Sequence, residues 1–154
     1  MGMALLMYAD EHDGHFPSGG ETPEASLCLL YKYVNSPELM AGKAASVQQA
    51  AAVLEKGGAL GPNECNWYYV EGLTSRNNPE LLVLWDKVPG LGHNCERLPA
   101  GGHEVLFSDG HAEFIQEPDW LKFLADQRAK MPKNAKFPDI EGTIHPNKPF
   151  DRTR

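Results

Sequence analysis

The dipeptide Asp109-Gly110 lies between two runs that mix apolar and polar residues, His103-Glu-Val-Leu-Phe-Ser108 and His111-Ala-Glu-Phe-Ile115. No other stretch restricts the chain so tightly. A two-residue hairpin turn of type I′ needs positive φ at both central positions, and Asp-Gly meets that demand. With a two-residue loop, Phe107 pairs with Ala112 and Val105 with Phe114 on one apolar face. Ser108, His111, Glu104 and Glu113 fall on the other, the pattern of a half-buried antiparallel sheet. Two β-rich runs come earlier, 66–70 and 81–85, separated by the turn formers Ser75-Arg-Asn-Asn-Pro79. The later part of the chain therefore predicts about four antiparallel strands.

Before residue 66 the period is helical. Met3, Leu6, Met7 and Asp10 recur at i, i+3, i+4, i+7, and Gly14 stands where a left-handed cap would end a helix. Met3, Leu6 and Met7 are the face expected to bury against Val105, Phe107, Ala112 and Phe114. Thr22-Pro23, Ser36-Pro37 and Ser46 with Gln49 mark three more helix starts, which make 22–58 a helical insert. Glu117-Pro118 opens a last helix reaching about Lys130, with Trp120, Phe123 and Leu124 as its apolar stripe. Pro132, Pro138, Pro146 and Pro149 follow with little periodicity, so 1–131 reads as the domain and 132–154 as a Pro-rich tail. The expected fold class is α+β: an N-terminal helix on a small antiparallel sheet, with the helical insert between them.

A chain of 154 residues can bury a single core without staples. Its 15 glycines and 12 prolines argue against a simple helical bundle. The net charge of −7, with no basic cluster, is a poor match to a phosphate backbone, so no nucleic-acid partner is expected. The longest apolar stretch, Met1 to Tyr8, is far short of the ~20 residues that span a bilayer. It also lacks the basic leader of a signal peptide. Because the chain opens already in helical pattern, it is expected to continue a longer helix upstream. Cys28, Cys65 and Cys95 form no C-x-x-C pair, which argues against a zinc ribbon or a thioredoxin-like site. One disulfide with a free thiol and three reduced thiols both remain open.

Chemistry-bearing residues are scattered. His12 and His15 stand among Asp10, Glu11 and Asp13, but the run does not fit an EF-hand loop and reads as a solvated helix end. His93, Cys95, His103 and His111 are the candidate ligands for a divalent metal, although their spacing follows no zinc signature. A metal-binding protein or metal-dependent hydrolase built on those four is one functional alternative; no other cofactor is expected. Nucleophile-elbow, P-loop and dinucleotide motifs are missing, and Ser108-Asp109-Gly110-His111 is too compact to form a triad. Trp67 or Trp85, if turned outward on a strand, would make a carbohydrate- or surface-binding module; sheet packing is the plainer reading for both.

Three segments together resemble a known family. Residues 4–17, ALLMYADEHDGHFP, are similar to the end of the long N-terminal helix in type IV pilin-like and type II secretion pseudopilin-like proteins. Residues 29–37, LLYKYVNSP, resemble the Leu-x-Pro-Tyr-Val-x-Ser-Pro element of the prepilin-type family with a processing-associated C-terminal motif. Leu84-Trp85-Asp86-Lys87, followed by Gly101-Gly102-x-x-Val105-Leu106-Phe107-Ser108-Asp109-Gly110-His111-x-Glu113-Phe114, resembles that motif. Pro99 stands where the motif has His. The resemblance implies a pilin-like fold and a non-enzymatic subunit that acts by assembly. It also implies an apolar half-helix anchored in the inner membrane, with the domain on the periplasmic face or the cell surface. Its partners would be other pilin-like subunits and secretion-system components.

Overall fold

The computed structural model describes residues 1–140. Its architecture is mixed α+β, with a four-stranded antiparallel sheet in the order β1-β2-β3-β4 and several helices. Helix α1 (Gly2–Glu11) comes first, and Asp13 and Gly14 close it at φ +54° and +83°. The insert follows as α2 (Pro23–Leu27), a 3-10 turn (Cys28–Leu30), α3 (Tyr31–Val34), α4 (Pro37–Ala41) and α5 (Val47–Leu54). Each predicted start is capped: Thr22 accepts from the Ala25 N–H, Ser36 from Leu39 and Ser46 from Gln49. The helix that opens at Thr22-Pro23 is broken by the 3-10 turn, and Asn35 ends α3 in the left-handed region.

Strands β1 (Trp67–Tyr69), β2 (Leu82–Asp86), β3 (His103–Phe107) and β4 (Ala112–Ile115) form the sheet, and α6 (Glu117–Lys130) completes the chain order. The register aligns Tyr69, Leu84 and Leu106 on one face and Tyr68, Trp85 and Val105 on the other. Helix α6 covers the second face: Trp120 lies 6.2 Å from Trp85 and 4.0 Å from His103, and Phe123 meets Phe107 edge-on at 6.1 Å. Helix α1 and the insert cover the first, where Trp67 donates its indole N–H to Leu39 O at 2.8 Å and Tyr69 its hydroxyl to Pro17 O at 2.8 Å. Covered on both faces, β2 is buried at every position, which is why Leu82 to Trp85 are continuously apolar rather than alternating, with buried Asp86 at the strand's end. Buried polar links fasten the insert to the sheet side. Lys87 donates to Glu24 at 2.6 Å, and Ser26 donates to Glu71.

The expectations for the hairpin need correction, and the corrections share a cause. The hairpin loop is three residues long, not two: Phe107 N–H bonds His111 O at 2.9 Å, and Gly110 N–H bonds Phe107 O at 2.9 Å. Only Gly110 takes positive φ (+89°), as in a type I turn closed by a left-handed glycine. The register becomes Val105 with Glu113 and Leu106 with Ala112. A one-residue slip turns every side chain of a strand to the other face. Ala112 and Phe114 are accordingly exposed rather than in the core, on the edge strand, while Val105 and Phe107 are buried against α6. Ser108, assigned to the polar face, is buried and donates its hydroxyl to Asn78 O at 2.7 Å.

Helix α1 is turned away from its expected orientation. It buries Ala4, Leu5, Tyr8 and Ala9 and leaves Met3 74% and Met7 47% exposed; Leu6 is half-buried. Small residues decide this. A Cβ on Gly2 would stand 2.3 Å from the Gly110 carbonyl oxygen, so α1 approaches the hairpin backbone through the side that carries Gly2. The boundary expected at 131 is also crossed. Phe137 packs 5.4 Å from Trp85, Lys136 N–H bonds Glu71 O at 2.8 Å, and Ile140 is buried. The remainder of the predicted tail, 141–154, lies outside the described residues.

Candidate functional site

A recess of about 520 Å³ lies on the α1 side of the sheet. Its floor is apolar (Leu84, Leu106, Ala112), and Met1, Leu39 and Val47 form its walls. Gly42, at φ +82°, ends α4 where a Cβ would press within 3.0 Å of Asn66 and 3.2 Å of Trp67. That tight turn brings Lys43 under the rim. Lys43 is 11% exposed, donates to Leu91 O at 3.1 Å and pairs with Glu104. His93 Nδ1 lies 3.9 Å from the other Glu104 oxygen, and Cys95 Sγ lies 3.9 Å from Lys43 O. A second recess of about 340 Å³ adjoins it, sharing His93, Glu104 and Ala112 and adding Glu96, Leu98, Glu113 and Phe114. Together they make one trough along β4, with an apolar floor and with Glu96, Glu104 and Glu113 at its β4 end.

Strand β4 is the sheet edge. The Phe107/His111 bonds and the register make His111, Glu113 and Ile115 the residues bonded to β3. In an antiparallel ladder the alternate positions turn their N–H and C=O outward, which leaves the backbone of Ala112 and Phe114 facing away from the sheet. The Phe114 ring folds back over Gly102, where an added Cβ would sit 2.5 Å from it.

The four proposed metal ligands are not brought together. His93 and Cys95 share the cavity rim, but His103 is buried on the α6 side. There its Nδ1 faces two acceptors, Asp86 Oδ1 at 2.7 Å and Asp86 O at 3.0 Å, so that nitrogen carries the proton. His111 sits at the hairpin tip, where Nδ1 donates to Asp109 and Nε2 lies 3.5 Å from Glu113. The Asp109 hydrogen bond raises the His111 pKa above the ordinary histidine value, and the His111 backbone N–H lowers that of Asp109. Among the described residues no group of three or more His, Cys, Asp or Glu side chains is placed to hold a metal ion.

The acidic N-terminal run disperses likewise. His12 stacks on Tyr8 at 3.7 Å, Glu11 accepts from Tyr33 and Lys32, and Asp13 meets Arg76 at 3.2 Å. Trp67 and Trp85 are buried, so neither makes the outward sugar platform considered for them. Sequence reasoning missed Lys43, the residue on which the rim is built. Its signal was present: Lys43 is the only charged residue from Leu39 to Leu54. Among the described residues no helix is long and apolar enough to cross a membrane. No protein-family model, curated protein or solved structure matches the chain.

Proposed function

We propose that the chain is the globular part of a pilin-like subunit that works by assembly rather than catalysis. The observation that carries this reading is the one-sided burial of α1. Its inner side holds Leu5 and Tyr8 in the core, while Met3 and Met7, one turn apart, form a bare apolar ridge on the outer side. A helix that leads the chain and keeps an apolar ridge uncovered suits a spine packed against neighbouring copies. The order of elements, helix first and antiparallel sheet after, supports the same reading, as do the segments that resemble prepilin-type proteins. On this reading an upstream apolar helix anchors the chain in the inner membrane, with the domain on the periplasmic face or cell surface. Its partners are pilin-like subunits and secretion-system components.

A photo-crosslinking residue at position 7, expressed from the chain's own gene in its native host, tests the proposal. Adducts with further copies or with other pilin-like subunits are expected, and Met3→Glu with Met7→Glu should abolish them without lowering the melting temperature. Recovery of uncrosslinked monomer alone would sink it.

A further inference from the structure

The trough and the edge strand beside it have no part in the assembly reading, which uses the outer side of α1. Three observations meet there. The first is a pair of outward backbone positions, Ala112 and Phe114, on an edge strand whose only strand neighbour among the described residues is β3. Such an edge can hydrogen-bond one more strand. The second is the recess running alongside it, floored by Ala112 and Leu106 and walled by Leu98, deep enough to take side chains projecting from an added strand. The third is charge. Glu96 and Glu113 line the recess beside β4 with no lysine or arginine among its lining residues, while Glu104 is already paired with Lys43.

We infer that β4 and its trough form a docking site for an extended basic segment of another protein, added as a fifth strand with alternating apolar and Lys or Arg side chains. Main-chain bonds to Ala112 and Phe114 would supply affinity. Apolar side chains on one face of the added strand would enter the trough, and the basic ones, on its opposite face, would meet Glu113, which the register sets on the Val105 side. The same charges select against a second copy of this chain. Two β4 edges paired antiparallel about their midpoints set the two copies' Glu113 side chains opposite one another, and each copy carries a net charge of −7. The edge is thus guarded against itself and open to a basic partner.

The test uses a fluorescein-labelled peptide of alternating Val and Lys, with a Val–Glu peptide as control. Saturable binding of the Val–Lys peptide, weakening with salt, is expected, together with slowed hydrogen exchange at the Ala112 and Phe114 amides. Ala112→Pro removes only an outward N–H, which an edge strand tolerates, and should weaken binding about tenfold while Val105 and Glu113 stay protected. Should that variant fail to fold, exchange at the two amides of the unaltered protein decides the matter alone. No saturable binding, equal binding of the Val–Glu peptide, or undiminished affinity in Ala112→Pro would overturn the inference. So would dimerisation of the free protein with those two amides protected. None of these outcomes touches the crosslinks expected from position 7, so the two proposals fail separately.

Discussion

Leu5→Ala distinguishes the observed packing of α1 from the one its periodicity suggested. Leu5 has no exposed surface, whereas Met3 on the opposite side is 74% exposed. Truncating a buried leucine to alanine costs about 2–5 kcal/mol, from lost transfer energy and the cavity left behind. About 3 kcal/mol, near the middle of that range, is the expected loss. In a chain of this size each kcal/mol moves the midpoint by about 2–4 °C, so Tm should fall by about 6–12 °C. Met3→Ala and Met7→Ala remove atoms that already face solvent, and each should stay within about 0.5 kcal/mol of the parent. Urea titrations followed by tryptophan fluorescence measure all three, with unchanged slopes confirming that only stability has moved. If Met3→Ala or Met7→Ala costs as much as Leu5→Ala, the packing of α1 described here is wrong.

Three further outcomes follow from individual sites. Gly110→Ala should destabilise by about 1–2 kcal/mol, because φ +89° penalises a side chain and the new Cβ meets Leu6 at 3.2 Å; an unchanged denaturation midpoint would contradict the three-residue loop. The His111–Asp109 contact should be strongest at mildly acidic pH. Its histidine part is complete below the unfolded histidine pKa and fades as pH rises through the elevated folded value. Its aspartate part is complete above the unfolded carboxylate pKa and fades as pH falls through the depressed folded value. An NMR titration should place the His111 midpoint above about 6.5, and a lower midpoint would remove the contact. Burial pushes the Cys65 thiol up to about 12, while Cys95 is exposed, so iodoacetamide near neutral pH should label Cys95 first and Cys65 only on unfolding. Equal labelling rates, read by mass mapping, would refute that difference in burial.

Local signals carried much of this architecture. Thr22, Ser36 and Ser46 cap helices where their spacing to the following residues says they should, because a cap is satisfied within one turn of chain. Four β-rich runs became four strands in meander order, and Glu117-Pro118 opened α6. The hairpin was legible as a hairpin but not in its loop length, since Asp-Gly serves both a type I′ turn and a type I turn closed by a left-handed glycine. That single residue of difference moved Ala112 and Phe114 out of the core. The trough was barely legible: Lys43, Glu104 and His93 come from three segments, and only folding makes them neighbours.

From the residues alone came the elements, their caps and their order, since those depend on contacts within a few positions of chain. The register of β4, the side of α1 that turns inward and the existence of the trough came only with the tertiary structure. Helix α1 is apolar on more than one side, so its pattern could not choose a face. The choice fell to close backbone contact at Gly2 and Gly110, two residues far apart in the chain whose missing side chains say nothing until they touch.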